Sequence, residues 1–320
     1  MKDRSTSSLR TLISDSTNPV FIVDTDMNLV VSANNAARLA SRSGDLEGAA
    51  FSSLVSIEQD GRLAFYGRKW FILKKEEINW NHEIFSKVTL KQHASIPDEH
   101  TLFTIRNMIA VLVHRLRSPM TGMQGYLEML GHIEEEKDQR KLSKVQQGLD
   151  YLFEIMDELE LLHHAGVFIE DEADTERSNA ESVLRNIIFT FGSDVRNRIK
   201  ITNHSTGNFR FNESELKQIL TLLVDNAVEH TSGAGSPIEI DIHSSRKISV
   251  TNAGANIPGD IADTLYFPFV TTKANNLGIG LSLAQLIANR RHAIIMLTEN
   301  SSEHGIEFTL LCAPAAESAG

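Results

Sequence analysis

The chain has 320 residues, 41% hydrophobic and 23% charged, with a formal net charge of −11. That length supports two or three domains with cores of their own, and the acidic balance argues against nucleic acid or an anionic membrane as main partner. A single cysteine, Cys312, excludes an internal disulfide, and no apolar run reaches the roughly 18–20 residues that a membrane-spanning helix needs.

The first ten residues, MKDRSTSSLR, lack the apolar centre of a signal peptide, so a cytoplasmic protein with no membrane span is expected. Texture changes divide the chain into residues 1–95, 96–168 and 169–320.

From Thr11 to Gln92 the pattern is mostly short strands. PVFIVDTDMNLVVSAN holds two apolar runs around a polar turn at Asp24–Asn28, and NNAARLAS reads as a short helix. GRLAFYGRKWFILKKEEI and EIFSKVTLKQ supply three more stretches rich in aromatic and branched residues. Two strands, small helices and three strands resemble a PAS sensor domain; an unspecified small α+β domain fits the same pattern.

From Pro97 to about Gly166 the period becomes helical. Leu102, Ile105, Ile109, Leu112, Leu116, Met120, Met123, Leu127 and Leu130 recur at steps of three and four. After the polar break GHIEEEKDQ, a second series runs through Leu142, Val145, Leu149, Leu152, Ile155 or Met156, Leu159 and Leu162. Two such helices predict an antiparallel hairpin, and a lone hairpin covers its stripe poorly, so a homodimeric four-helix bundle is expected. VHRLRSPMTG, on the first of them, sets His114 ahead of Arg117, Ser118 and Pro119.

From Ser178 to Pro314 strands and helices mix. Glu213–His230 reads as a helix, PIEIDIHS and KISVTN as strands, and GLSLAQLIANRR as a helix opening behind a glycine cluster, where backbone N–H groups favour an anion.

Four blocks in this segment stand in a recognisable order. LTLLVDNAVEHT resembles the N box of GHKL-type ATPases, VTNAGANIP the G1 box, YFPFVTTKANNLGIGLSLAQ the F and G2 boxes, and HGIEFTLLCAP the closing strand. With VHRLRSPMTG upstream, the chain resembles a two-component sensor histidine kinase. The implied architecture is multidomain α+β: a PAS-like sensor domain, the helical dimerisation domain, and an α/β-sandwich ATP-binding domain. The implied function is autophosphorylation of a histidine from Mg-ATP and relay to an aspartate on a response-regulator receiver domain. The alternative is a divergent pseudokinase or phosphatase-type scaffold.

The resemblance implies roles residue by residue. His114 would be the phosphoacceptor, Arg117 and Ser118 its catalytic neighbours, with Ser118 where the family's phosphatase-assisting Thr or Asn stands. Asn226 would hold Mg²⁺ through its amide oxygen, a hard ligand for a hard ion. Asn252 takes the place of the aspartate that reads the adenine amino group, Gly254 matches a G1 glycine, and Gly278 and Gly280 would let backbone approach the phosphates. Thr272 and Lys273 would belong to the nucleotide lid, and His230 to the phosphate end.

Three further positions depart from the family. Arg115 replaces the carboxylate that follows the phosphoacceptor; a guanidinium has no lone pair to accept the Nδ1–H. Losing such a base costs about 10² to 10⁴ in rate, although arginine can steady an incoming phosphoryl group. Leu222 stands where a second metal-binding asparagine is common, and Glu229 where a basic residue often touches phosphate. Glu154, Asp157 and Glu158 are candidate stand-ins for the missing carboxylate, because a turn near Glu135 sets His114 opposite Met156–Glu158.

Overall fold

The computed structural model describes residues 11–41, 46–80, 83–93, 99–130, 136–165, 177–205, 208–231, 235–271 and 277–314. They form two compact units, one centred on the residues up to Ala94 and the other on Ser95–Arg290 with Ile295–Thr309.

The first unit is an antiparallel sheet built from β1 (Val20–Asp24), β2 (Leu29–Ala33), β3 (Ser56–Ile57), β4 (Leu63–Tyr66), β5 (Lys69–Trp80) and β6 (Glu83–Lys91). Its order is β2-β1-β6-β5-β4-β3, with the short helices α1 (Asn35–Ala40) and α2 (Phe51–Leu54) inserted after β2. Central β1, Val-Phe-Ile-Val-Asp, is apolar on both faces and buries both. Phe21, Phe51 and Tyr66 meet edge-to-face in the main core, while Val20, Ile22 and Phe85 join Ile13 on the opposite face of the sheet. The β1–β2 turn closes on Asp24, whose Oδ1 accepts from the Asp26 and Met27 amides, both at 3.0 Å. The β4–β5 hairpin turns through Gly67 and Arg68 at φ 55° and 66°, the left-handed pair that a two-residue hairpin requires. A Cβ on Gly67 would lie 2.2 Å from the Ala40 carbonyl oxygen, so only glycine fits.

The second unit opens with two long helices, α3 (Glu99–Leu130) and α4 (Glu136–Ala165). Ile109, Val113, Met120 and Leu127 of α3 are buried, as are Leu149, Met156, Leu159 and Leu162 of α4. The apolar stripe expected on each helix therefore splits. Leu112, Leu116 and Met123, with Val145 and Leu152, face outward and stay exposed in the single chain. Pro119 sits inside α3 without breaking it; lacking an N–H, it leaves the Arg115 carbonyl with no helical donor four residues on.

The rest of this unit is a two-layer sandwich. The sheet runs β10-β11-β9-β8-β7, from β7 (Ile199–Asn203), β8 (Ile238–Ser244), β9 (Lys247–Asn252), β10 (Ile294–Ser301) and β11 (Gly305–Leu311). Parallel pairing of β7 with β8 and antiparallel pairing of β8 with β9 make it mixed. Three helices pack as the second layer: α5 (Ala180–Thr190), α7 (Glu213–His230) and α9 (Gly280–Arg290), with one-turn α6 (Ser193–Arg196) and α8 (Gly259–Ala262) in the connections. α7 buries Leu216, Ile219, Leu220, Leu223, Val224 and Ala227, a stripe at steps of three and four.

Candidate functional site

α7 starts from a capping box: Asn212 Oδ1 accepts from the Glu215 amide at 2.8 Å, and Glu215 Oε2 accepts from the Asn212 amide at 3.4 Å. With its start fixed and its apolar stripe in the core, α7 turns a second stripe, Leu222, Asp225, Asn226, Glu229 and His230, to one side. These five residues line a cavity of about 770 Å³. Asn252, at the end of β9, closes the cavity's floor together with Ile306 and Phe308 of β11. Gly278, Ile279 and Gly280 bring the amino end of α9 to its wall, so unpaired backbone N–H groups border the space.

The glycines have separate reasons to be there. Gly278 has φ +68°, and a Cβ would lie 2.5 Å from the Val270 carbonyl oxygen. Gly254 is not among the lining residues; a Cβ there would come within 2.8 Å of the His230 carbonyl oxygen and 3.0 Å of Asn252 Nδ2. Gly280 is less constrained, its nearest neighbour being Leu222 Cδ2 at 3.7 Å. Beside it the Leu222 position offers only hydrocarbon. The mouth loop is held by Asn300, whose Oδ1 accepts from the Ile257 amide at 2.8 Å while its Nδ2 donates to the Ile257 carbonyl at 2.9 Å.

The cavity is acidic. Glu154, Asp225 and Glu229 line it, and no Lys or Arg does among the described residues. Burial first, and the Glu229 carboxylate one turn away second, raise the Asp225 carboxyl above the ordinary aspartate range. A triphosphate entering this space therefore needs a cation with it. No group of three or more His, Cys, Asp or Glu among the described residues forms a metal cage. An amide oxygen at Asn226 beside the nucleotide's own oxygens and water fits Mg²⁺, which keeps several waters and rarely uses all-protein cages.

His114 lies on α3, exposed, as do Arg115 and Ser118. Arg117 reaches across the hairpin: its Nη2 donates to Glu160 and lies 3.9 Å from Asp157. That pairing levels Arg117 with Asp157–Glu160, so His114 stands about one helical turn further along, near Leu162. The expected level, Met156–Glu158, is corrected by that turn. Of the candidate stand-in carboxylates, Asp157 sits by Arg117, Glu154 lines the cavity, and the Glu158 side chain lies outside the described residues. So do Thr272 and Lys273; their neighbour Thr271 lines the cavity.

Asn226, His230, Asn252, Gly278 and Gly280 are thus brought to one cavity, with Gly254 behind Asn252. Sequence reasoning missed Tyr151, Ile155 and Leu161 of α4, which also line it. Only Ile155 carried a signal, as one of two candidates for a single apolar position.

Comparison with known proteins follows the same division. The family "Histidine kinase-, DNA gyrase B-, and HSP90-like ATPase" matches residues 211–317, and "His Kinase A (phospho-acceptor) domain" matches residues 104–165. The chain is 25% identical over 236 residues to the signal transduction histidine-protein kinase AtoS of Escherichia coli (strain K12), covering 71% of this chain and 38% of that protein. It is 24% identical over 237 residues to the sensory histidine kinase/phosphatase NtrB of Rhizobium meliloti (strain 1021), covering 67% of this chain and 59% of the relative. The chain thus spans well under two thirds of the length of either. Among solved structures, full-length ShkA in complex with AMPPNP matches at 20% identity and a TM-score of 0.49, over 65% of this chain and 47% of that one. No helix among the described residues is long and apolar enough to cross a membrane. The chain thus carries, in order, the His Kinase A phospho-acceptor domain and the histidine kinase-type ATPase domain, the pairing found in two-component sensor histidine kinases.

Proposed function

We propose that the chain transfers the γ-phosphoryl group of Mg-ATP to His114 and from there to an aspartate of a response-regulator receiver domain. One observation carries the reading: Asn226, Asn252 and the amino end of α9 converge on one cavity, in a chain that also presents an exposed histidine on a helical hairpin.

In this reading the His114 Nε2 lone pair attacks the γ-phosphorus, a nitrogen–phosphorus bond forms as the bond to the bridging oxygen breaks, and ADP leaves. The ring needs its proton on Nδ1, and Arg115 offers no acceptor for it, so the proton passes to water and the step is slower than with a carboxylate neighbour. Arg117, braced by Glu160 and Asp157, is a positioning residue that fixes the register of α3 against α4. Ser118, one turn beyond His114, would orient a water in the reverse reaction. Backbone N–H groups at Gly278–Gly280 would take phosphate oxygens, with Thr272, Lys273 and His230 at that end. Asn226 would hold Mg²⁺, which would supply the charge neutralisation that the acidic cavity lacks.

The outward stripe of Leu112, Leu116, Met123, Val145 and Leu152 supports a homodimer in which two hairpins form a four-helix bundle. The strand order β2-β1-β6-β5-β4-β3 with helices after β2 supports a PAS-like sensor in residues 1–95, ahead of a dimerisation domain at 96–168 and an ATP-binding domain at 169–320.

The test is incubation of purified chain with Mg-ATP labelled at the γ-phosphate. Acid-labile label that disappears in His114→Ala is expected. Label that persists in that variant sinks the assignment of His114; absence of label together with absence of ATP binding sinks the whole reading.

A further inference from the structure

Asn252 is the one buried polar side chain among the described residues that line the cavity, 2% exposed. Its backbone is fixed opposite Ile238 in the β8–β9 ladder, so its Cα cannot wander. Its Nδ2 is sealed from solvent and has no hydrogen-bond partner. A donor left in that state is costly, and a half turn of the amide about its last torsion brings it to the cavity that Asn252 lines, where an entering group can accept from it. Gly254 preserves the space: a Cβ there would press on Nδ2 from 3.0 Å and on Ile306 Cδ1 from 3.2 Å. The neighbouring wall, from Leu265, Val270, Ile279, Leu283 and Ile306, is hydrocarbon. Such a wall grips the faces of a flat ring without reading its edge. Among the buried side chains of the lining, edge reading is therefore left to one amide.

We propose that Asn252 lets this site accept 6-oxo purine triphosphates as well as ATP; the inference rests on the nucleotide-site reading above. A carboxamide carries an acceptor and a donor side by side, and its last torsion is broad and two-fold. A 6-aminopurine edge offers N6–H as donor beside N1 as acceptor, which Oδ1 and Nδ2 match. A 6-oxopurine edge offers O6 as acceptor beside N1–H as donor, the mirror pattern, which the same amide matches after a half turn. A carboxylate in this place has acceptors only, so it matches one group of either edge, N6–H or N1–H, and repels the other, N1 or O6; the amide matches both groups of both edges.

The experiment measures binding of Mg-ATP, Mg-ITP and Mg-GTP to the full chain by calorimetry. ITP is expected to bind within about tenfold of ATP, one hydrogen bond exchanged for another being worth little net. In Asn252→Asp, with the base held in the same slot, either edge keeps one hydrogen bond and meets one acceptor–acceptor clash, so ATP and ITP are expected to weaken together, by about tenfold. ATP binding with ITP and GTP both weaker by about a hundredfold in the parent chain overturns the inference and leaves the nucleotide site intact. ITP binding without GTP sustains it and shows that the slot rejects the 2-amino group. Failure of all three to bind removes the nucleotide-site reading itself. The parent-chain comparison needs no variant, so a misfolded Asn252→Asp leaves the test decisive.

Discussion

Replacing Gly278 by alanine tests the cavity's construction more directly than replacing any of its polar groups. The residue sits at φ +68°, where a Cβ costs about 1–2 kcal/mol. The new methyl would stand 2.5 Å from the Val270 carbonyl oxygen and 2.7 Å from its carbon, main-chain atoms that no rotamer change can move. Phe269 is tied to the same spot, its amide donating to the Gly278 carbonyl at 3.0 Å from a backbone at φ 71°. Overpacking of this kind adds about 1–3 kcal/mol. At about 3 kcal/mol together, the melting transition of the second unit drops by about 6–12 °C, using 2–4 °C per kcal/mol. Gly280→Ala is the internal control, because its added methyl meets only Leu222 Cδ2 at an ordinary 3.7 Å. Scanning calorimetry of both variants with and without Mg-ATP reads stability and nucleotide retention at once. If Gly278→Ala melts and binds ATP like Gly280→Ala, the backbone contact described here is wrong.

Three further outcomes are expected. Arg115→Glu supplies an acceptor beside His114, and γ-label incorporation rises by about 10²-fold, the low end of what a general base contributes; an unchanged rate means that Nδ1 is served elsewhere. Arg117→Ala removes ion pairs whose side chains are 36–75% exposed at the acidic ends, so its urea midpoint moves by less than about 1 kcal/mol. Its phosphorylation rate falls nonetheless, and a loss matched entirely by unfolding refutes a positioning role. Asp225 binds its proton more tightly folded than unfolded, so its contribution to stability is full in acid and fades as pH rises through its raised folded value. Asp225→Asn therefore gains stability relative to the parent chain on going from about pH 4 to about pH 7, read as the difference between their urea midpoints.

What could be read from the residues depended on how local the information was. The N, G1 and G2 blocks are contiguous strings whose roles come from backbone shape, a helix stripe and a glycine at positive φ, and the structure gathers them at one cavity. The hairpin was legible as two apolar series, but a periodicity does not say which side of a wide stripe meets the partner helix. Hence Ile109 and Met120 turn inward while Leu112 and Leu116, in the same series, face out. The level of His114 depended on counting from a turn placed near Glu135, and one turn of error there carries through to the opposite helix. Arg117 with Glu160 shows the same limit: partners 43 residues apart are joined by the hairpin's register alone. The parallel pairing of β7 with β8 has no local mark, because it is made across the intervening α7.

Pro119 has a mechanical meaning for the stalk. Elsewhere a continuous 32-residue helix transmits rotation along its axis as a stiff rod does. At this one rung the amide is missing and the Arg115 carbonyl loses its donor four residues on, so bending there sacrifices no such bond while bending anywhere else sacrifices one. Strain applied along α3 is thus focused within a turn of the His114 imidazole, and it redirects that ring before it disturbs the rest of the helix.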